Sequence, residues 1–434
     1  MNNNNTDLYS LLQLTRYNID YTKSSINLLD GGNTIEVYLY LNISSRECPF
    51  CHSNRLQIKD TVVKQIYHPI LNDKNVVIYY YQRKFKCAEC GHTSLQNNPI
   101  STSSISTLGS LYLLNQFRNP RITFKDISEK FHIPLSSVIR LFDDHISLNR
   151  HELTKIVSFD EIHLSGVTHK SYACCIYSLS TNTLLDLLDS RLKLDLTEYF
   201  AHIPLKERLN VEFVTMDMWP TYKAIAEQSF PNLKAIAVDS FHVIKHLNQA
   251  VDSIRKSVQA QYADKKDSDK SSIYWLLKTF HYFFKMDFDN IKYVRKPKSH
   301  FYYLRDKFDV LDRLLSINPS LKEAYELKEE YREFNLTGTY EEAIKKIPEF
   351  ITRFKKSSRK EMREVGIMIE NWKQEIINSF IRINCKRLSN GPMESENGRI
   401  GKILSDGNGY SNFNRFRNRV MFGLNKNEPI KYKN

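Results

Sequence analysis

Apolar positions fall in short bursts in two regions of the chain and recur at helical spacing in the others. The first region holds Val62–Tyr67 and Val76–Phe85, rich in β-branched and aromatic residues. Leu71-Asn-Asp-Lys-Asn supplies turn chemistry between them, so a hairpin is expected. The second begins at Thr154. Strands are expected at Ile156–Ile162, Ser171–Leu179, Thr183–Asp189, Val211–Met216 and Lys234–Asp239, and helices at Leu196–Ile203, Thr221–Ser229 and His242–Val258. The last helix sets Val243, Leu247, Ala250 and Ile254 on one face. Three consecutive strands followed by helix, strand, helix, strand, helix describe an α/β unit, a mixed sheet flanked by helices.

Helical spacing governs the rest. Thr123–Phe142 reads as two short helices around a tight turn, with Thr123 and Asp126 approximating a capping box. Phe124, Ile127, Val138, Ile139 and Phe142 would face inward, leaving Ser136, Ser137 and Arg140 on the outer face of the second helix. Residues 256–385 are rich in Lys and Glu and carry aromatic residues at helical period, which predicts a helical subdomain inserted into the α/β unit. Its expected faces are Leu304, Phe308, Leu311 and Leu315, and Val365, Ile369, Trp372 and Ile376. Asn318-Pro319 makes a turn, and Ser320-Leu-Lys-Glu323 reads as the capping box of the next helix. The basic run Lys292–His300 is either a phosphate-contacting loop or a solvated face.

Charge adds a partner to this outline. The 434 residues carry a formal net charge of +13, and such a field favours a polyanion, nucleic acid first, over lysine that merely solubilises the chain. With 41% hydrophobic and 12% aromatic residues the chain is globular. The absence of an apolar run of about 18 residues and of a signal-peptide pattern points to a soluble, intracellular protein without a membrane partner. Seven cysteines, an odd number, do not suggest a disulfide framework.

Two sets of residues carry candidate chemistry. Cys48-Pro-Phe-Cys51 and Cys87-Ala-Glu-Cys90 flank the expected hairpin, which would gather four thiolates into a structural Zn²⁺ site. Cys174, Cys175 and Cys385 lack such partners and read as structural. Asp160 and Asp217 sit at the ends of apolar strands, where paired carboxylates suit a metal-dependent phosphoryl-transfer site. Strand-end aspartates also serve as caps and turn residues.

The tail gives these signals a context. Ser389-Asn-Gly391-Pro-Met-Glu394-Ser-Glu-Asn397-Gly-Arg-Ile-Gly-Lys402 is followed by Gly407-Asn-Gly-Tyr410-Ser-Asn-Phe413-Asn-Arg-Phe-Arg-Asn-Arg419. Together with the paired Cys knuckles, Asp160-Glu161, Asp217-Met-Trp-x-x-Tyr222 and Asp239-x-Phe-His-Val243, in this order and spacing, the chain resembles the bacterial insertion-sequence transposases of the ISL-three family over nearly its whole length.

The resemblance implies a DDE catalytic domain of RNase H-like fold. Asp160, Asp217 and Glu394 would be its catalytic acids and the ligands of Mg²⁺ or Mn²⁺, serving an in-line displacement at a DNA phosphodiester. Glu161, the strand neighbour of Asp160, would face away, and Glu396 competes with Glu394 for the third place. The implied domains are a zinc-binding domain at 1–100, a helix-turn-helix at 101–150, the RNase H-like domain at 151–255 and 386–434, and the helical insertion at 256–385. The insertion explains why Glu394 lies so far from Asp217 in sequence.

The zinc knuckles and the helix-turn-helix would read the terminal inverted repeats of double-stranded DNA, with Ser136, Ser137 and Arg140 presented to it. Lys402, Arg415, Arg417 and Arg419, interleaved with Tyr410, Phe413 and Phe416, would clamp phosphates or else form a basic, amphipathic closing helix. Cutting and joining two element ends calls for a dimer or a higher assembly, acting in the bacterial cytoplasm. A transposase-derived DNA-binding protein with a dead core is the alternative, and a nuclease without strand transfer a third reading. Ser240 stands where the family usually has Arg, and Ser395 and His52 where it usually has Gly. Asp239 and His242 fit either a catalytic role or a sheet-end cap and a packed histidine.

Overall fold

The computed structural model describes residues 3–43, 47–164, 166–167, 171–264, 266–291 and 307–431. They form a mixed α/β protein of two compact units, one comprising 1–150, 164–171 and 397–434, the other 151–163 and 172–396. The division between the units falls inside the helix Gly391–Asp406. Leu304 and the run Lys292–His300 lie outside the described residues.

The first unit opens with a mixed five-stranded sheet. Its strands are β1 (Ser25–Leu29), β2 (Thr34–Leu39), β3 (Leu56–Tyr67), β4 (Asn75–Cys87) and β5 (Thr93–Leu95), in the order β1-β2-β4-β3 with β5 also on β4. Alternation along β2 buries Ile35, Val37 and Leu39 on one face, against Ile78, Tyr80, Leu12 and Leu14. The expected hairpin is the antiparallel pair β3–β4. Three helices follow: Thr107–Gln116, Phe124–Lys130 and Leu135–His145. Thr123 and Asp126 make the full capping box of the second. The turn before the third places His132 at φ 52°, a left-handed conformation more often given to glycine. Phe124, Ile127, Val138 and Phe142 are buried as expected, but Ile139, on the helix Leu135–His145, is only half-buried, its side chain lying at the edge of the buried face that Val138 and Phe142 share.

The C-terminal helix Phe413–Leu424 packs within this unit, its Phe422 ring 6.3 Å from that of Phe142. Arg419, only 1% exposed, donates to the carbonyls of Phe117, Asn119 and Ile122. Gly423 leaves the space for it, since a Cβ there would meet the Arg419 guanidinium at 2.5 Å.

The second unit is built on β6 (Ile156–His163), β7 (Tyr172–Ser178), β8 (Thr183–Leu188), β9 (Phe213–Met216) and β10 (Ala235–Val238), in the order β10-β9-β6-β7-β8. The β6–β7–β8 meander is antiparallel, and β9 and β10 extend it on the other side of β6 as parallel strands. Val157 and Phe159 of β6, Val214 and Met216 of β9 and Ile236 and Val238 of β10 enter one hydrophobic core with Leu247, Ile254, Leu321, Tyr331, Phe350 and Ile369 of the helices. The helical segment therefore shares its core with the sheet instead of closing a core of its own. Cys174 and Cys175 are buried in β7, whereas Cys385 is exposed in a tight turn at φ 64°.

Two local expectations need correction. The helix Pro319–Thr337 is capped by Asn318, whose side chain accepts from the N–H groups of Ser320 and Leu321; Ser320 and Glu323 lie inside the helix, because Pro319 already occupies its first turn. In the helix Lys307–Ser316 the buried face is Val310, Leu311 and Leu314, while Phe308 is 41% exposed, so the stripe is rotated from the one expected.

Candidate functional site

Strand register places the acids. Phe159 of β6 pairs with Met216 of β9, and Met216 with Val238 of β10. Asp160, Asp217 and Asp239 each follow one of these residues, so three acids stand in a row just past the parallel pairing: Asp160 within β6, which runs on to His163 against β7, and Asp217 and Asp239 just beyond β9 and β10. Peptide strands alternate faces. Asp160 thus shares the side of Ser158, and Asp217 that of Thr215. Glu161, the next residue along β6, pairs with Arg191, which stacks over the Tyr172 and Trp219 rings at 4.1 and 4.8 Å.

The helix bearing Glu394 is seated on the sheet by Asn390, which is fully buried. Its Oδ1 accepts from Ser158 Oγ and from Thr215 Oγ1 at 2.7 Å, and its Nδ2 donates to the Phe159 carbonyl at 3.1 Å. One side chain thereby joins β6, β9 and the N-terminus of the helix Gly391–Asp406 directly below the row of acids. Glu394, one turn along, donates its N–H to the Asn390 carbonyl at 3.0 Å. A carboxylate oxygen of Glu394, a carboxylate oxygen of Asp239 and a ring nitrogen of His242 lie within 4.8 Å of one another. His242 Nε2 is 3.1 Å from Asp217 Oδ2. Sequence reasoning treated Asn390 only as part of a motif; the signal available was an amide side chain immediately before a Gly-Pro helix start.

These acids are crowded. Burial, then the neighbouring Asp217, pushes the Asp160 carboxyl up to about 8. Burial, then Asp239 and Glu161, pushes Asp217 up to about 7. Asp239 and Glu394 are raised as well, burial being the larger cause in each, and burial lowers His242. Asp217 Oδ1 is buried and accepts no hydrogen bond among the described residues. Hard carboxylate oxygens, one of them unsatisfied, are a donor set that fits a divalent cation.

The second candidate centre joins Cys48, Cys51, Cys87 and Cys90, whose sulfurs lie within 4.8 Å of one another and could hold a metal ion. Cys48 and Cys90 approach to 3.7 Å and Cys51 and Cys87 to 3.6 Å. Backbone N–H groups of Cys90 and Glu89 hold the Cys87 thiol down at about 6 and those of Cys51 and Phe50 lower Cys48, whereas the crowd of neighbouring thiols pushes Cys51 up to about 12, the repulsion that a bound cation would relieve. Each knuckle closes through a left-handed residue, Gly91 at φ 72° in one and His52 at φ 57° in the other. His52 thus takes the conformation for which glycine is usual, and the thiols still converge.

The candidate DNA-contacting residues are placed unevenly. Ser136 and Arg140 are exposed and Ser137 half-buried on the helix Leu135–His145, and Lys402 is exposed. Arg415 forms a forked ion pair with Asp143 at 2.7 Å, and Arg417 donates to the Leu148 carbonyl at 2.8 Å. Arg419 departs from the phosphate-clamp expectation, because its guanidinium is buried on backbone carbonyls and burial lowers it to about 10. It is a structural pin.

A carboxyl whose folded-state pKa exceeds its unfolded value favours the fold while protonated; that contribution is present below about pH 4 and is lost as pH rises through the folded pKa. With divalent ions chelated, thermal melts should therefore show a fall in stability toward about pH 8 that is shallower in Asp160→Asn. Equal pH dependence in the two proteins would contradict the crowding of Asp160.

The family model of the ISL-three DDE transposases, described as Transposase, matches residues 157–420. No curated protein matches the chain. The match takes in every strand of the second sheet, the row of acids and the helix of Glu394, and it covers more than half of the chain. The chain belongs to the ISL-three family of transposases.

Proposed function

We propose that this transposase binds the terminal inverted repeats of an insertion sequence, cuts DNA at the element ends and joins them to a target. Asp160, Asp217 and Glu394 are the metal-binding acids in this reading, within an RNase H-like domain. One observation carries it: Asp160 and Asp217 in register on adjacent parallel strands, with the start of the helix that bears Glu394 tied to the same two strands by Asn390. The sheet order, an antiparallel meander of three strands extended by two parallel ones, supports the RNase H-like assignment.

When bound at these acids, Mg²⁺ or Mn²⁺ supplies Lewis acidity to the scissile phosphodiester and lowers the pKa of an attacking hydroxyl. The chain's own contribution is placement. Asn390 fixes the height of Glu394 above the strand ends, and the pairing of β6 with β9 fixes the spacing of Asp160 and Asp217. The ion pair with Arg191 occupies Glu161, which in this reading leaves Asp160 as the ligand of the Asp-Glu pair.

DNA recognition in this reading falls to the first unit. The helix Leu135–His145 presents Ser136, Ser137 and Arg140 to a major groove, Lys402 contacts phosphate, and the Cys48–Cys90 centre holds Zn²⁺ and stiffens the β3–β4 hairpin. Two copies or more would hold both element ends during the reaction. The alternative of a dead core kept for DNA binding is disfavoured by the retained row of acids.

Cleavage of a duplex bearing the element ends, with Mg²⁺ or Mn²⁺, tests the catalytic reading. Asp160→Asn, Asp217→Asn and Glu394→Gln should each lower cleavage on the order of 10³-fold or more while end binding stays normal. Variants that bind and still cut would remove these acids from the mechanism. For the N-terminal centre, Cys48→Ser and Cys87→Ser should each lose the zinc that elemental analysis finds in the wild type; unchanged zinc content would refute the assignment.

A further inference from the structure

Asp239 and His242 are left over by a three-acid mechanism, yet both are aimed into the site. Asp239 is 2% exposed and caps the helix Ser240–Ala260: one carboxylate oxygen, Oδ1, accepts from the Phe241 N–H at 3.2 Å. The other, Oδ2, is buried and receives no hydrogen bond from a donor among the described residues; the Glu394 carboxyl faces Asp239, and two carboxylates so placed share either a proton or a cation. His242 lies at the start of the same helix. Its Nε2 is at hydrogen-bonding distance from Asp217 Oδ2, 3.1 Å, while its Nδ1 is buried and makes no hydrogen bond among the described residues. Buried polar atoms without a donor or acceptor are costly, and here two of them converge. Nδ1 and Asp239 Oδ2 are 3.9 Å apart, too far for a hydrogen bond.

That distance suits a shared cation. Ligand atoms held at about 2.1 Å from one ion lie about 3 Å apart when adjacent and about 4.2 Å apart when opposite. The Glu394 carboxylate completes the set within 4.8 Å. An Nε2–H donated to Asp217 fixes the neutral tautomer with its lone pair on Nδ1, the arrangement by which a carboxylate orients a metal-binding histidine.

We propose that Asp239 Oδ2, His242 Nδ1 and Glu394 form a divalent-cation site of mixed oxygen and nitrogen donors, coupled to Asp217 through the His242 ring. The nitrogen ligand sets its preference. Imidazole binds transition ions better than Mg²⁺, so this site favours Mn²⁺ over Mg²⁺, unlike an all-carboxylate site. The assignment rests on the reading of Glu394 as a metal-facing acid, and it does not require that the protein cut DNA.

The test is Mn²⁺ binding to the full chain, followed by electron paramagnetic resonance, with the nitrogen coupling of bound Mn²⁺ read by spin-echo modulation. Wild type should show a directly bound imidazole nitrogen, and Mg²⁺ should displace that ion poorly. Asp239→Asn keeps a good helix cap and should weaken the nitrogen-coupled ion at least about 10-fold. His242→Gln should abolish the nitrogen coupling. Asp160→Asn should leave the coupling in place even where cleavage is lost, which separates this site from the catalytic reading. Mn²⁺ bound to wild type without nitrogen coupling, or coupling that survives His242→Gln, overturns the proposal.

Discussion

The seat of Asn390 is the constraint on which the second unit depends. An amide buried between two hydroxyls and a backbone carbonyl has no second arrangement that satisfies its partners, since Ser158, Thr215 and the Phe159 carbonyl belong to neighbouring strands in fixed register. Removing it would leave buried donors and acceptors unpaired, at about 1–3 kcal/mol each. Its position just before the helix Gly391–Asp406 makes the energetic role a geometric one. Glu394 lies some hundreds of angstroms of contour away from Asp217 along an extended chain, on the order of 3.5 Å per residue, and a buried polar lock brings it back to the strand ends.

Against that lock stands the crowding it enforces. Asp160, Asp217, Asp239 and Glu394 all titrate above the ordinary carboxylate range, burial being the first cause for each. Burying acids this close together opposes folding at neutral pH, a cost that proteins accept at functional sites. The continuous hydrophobic core that runs from β6, β9 and β10 through the helical segment offsets it. Sheet and helical segment are therefore linked energetically as well as by chain connectivity. The segment buries the apolar faces of the helices that back the sheet, and the sheet holds its acids in a position that the local electrostatics resist.

Much of this was legible in the sequence because period-2 and helical patterns are local. The five strands of the second sheet appear within a residue or two of their expected ends, and the capping box at Thr123 and Asp126 forms as its spacing suggests. Local pattern failed where two caps competed: Asn318 outbid Ser320 because Pro319 sets the first turn. It also failed for Arg419, whose place in a run of basic residues concealed a partnership with carbonyls about three hundred residues earlier in the chain. The roles of Asn390 and His242 depend on the register of β6, β9 and β10, which no window of sequence contains. Asp239 was visible as a strand-end acid, but only the parallel pairing of β9 with β10 aligns it with Asp217.

We propose that the cluster of Asp160, Asp217 and Glu394 gathers divalent ions, and anomalous diffraction from crystals soaked in Mn²⁺ would locate them. A strong peak is expected in contact with Asp160, Asp217 or both, on the side where Glu394 sits. A Mn²⁺ peak that avoids these carboxylates while occupying other acids on the surface would contradict it.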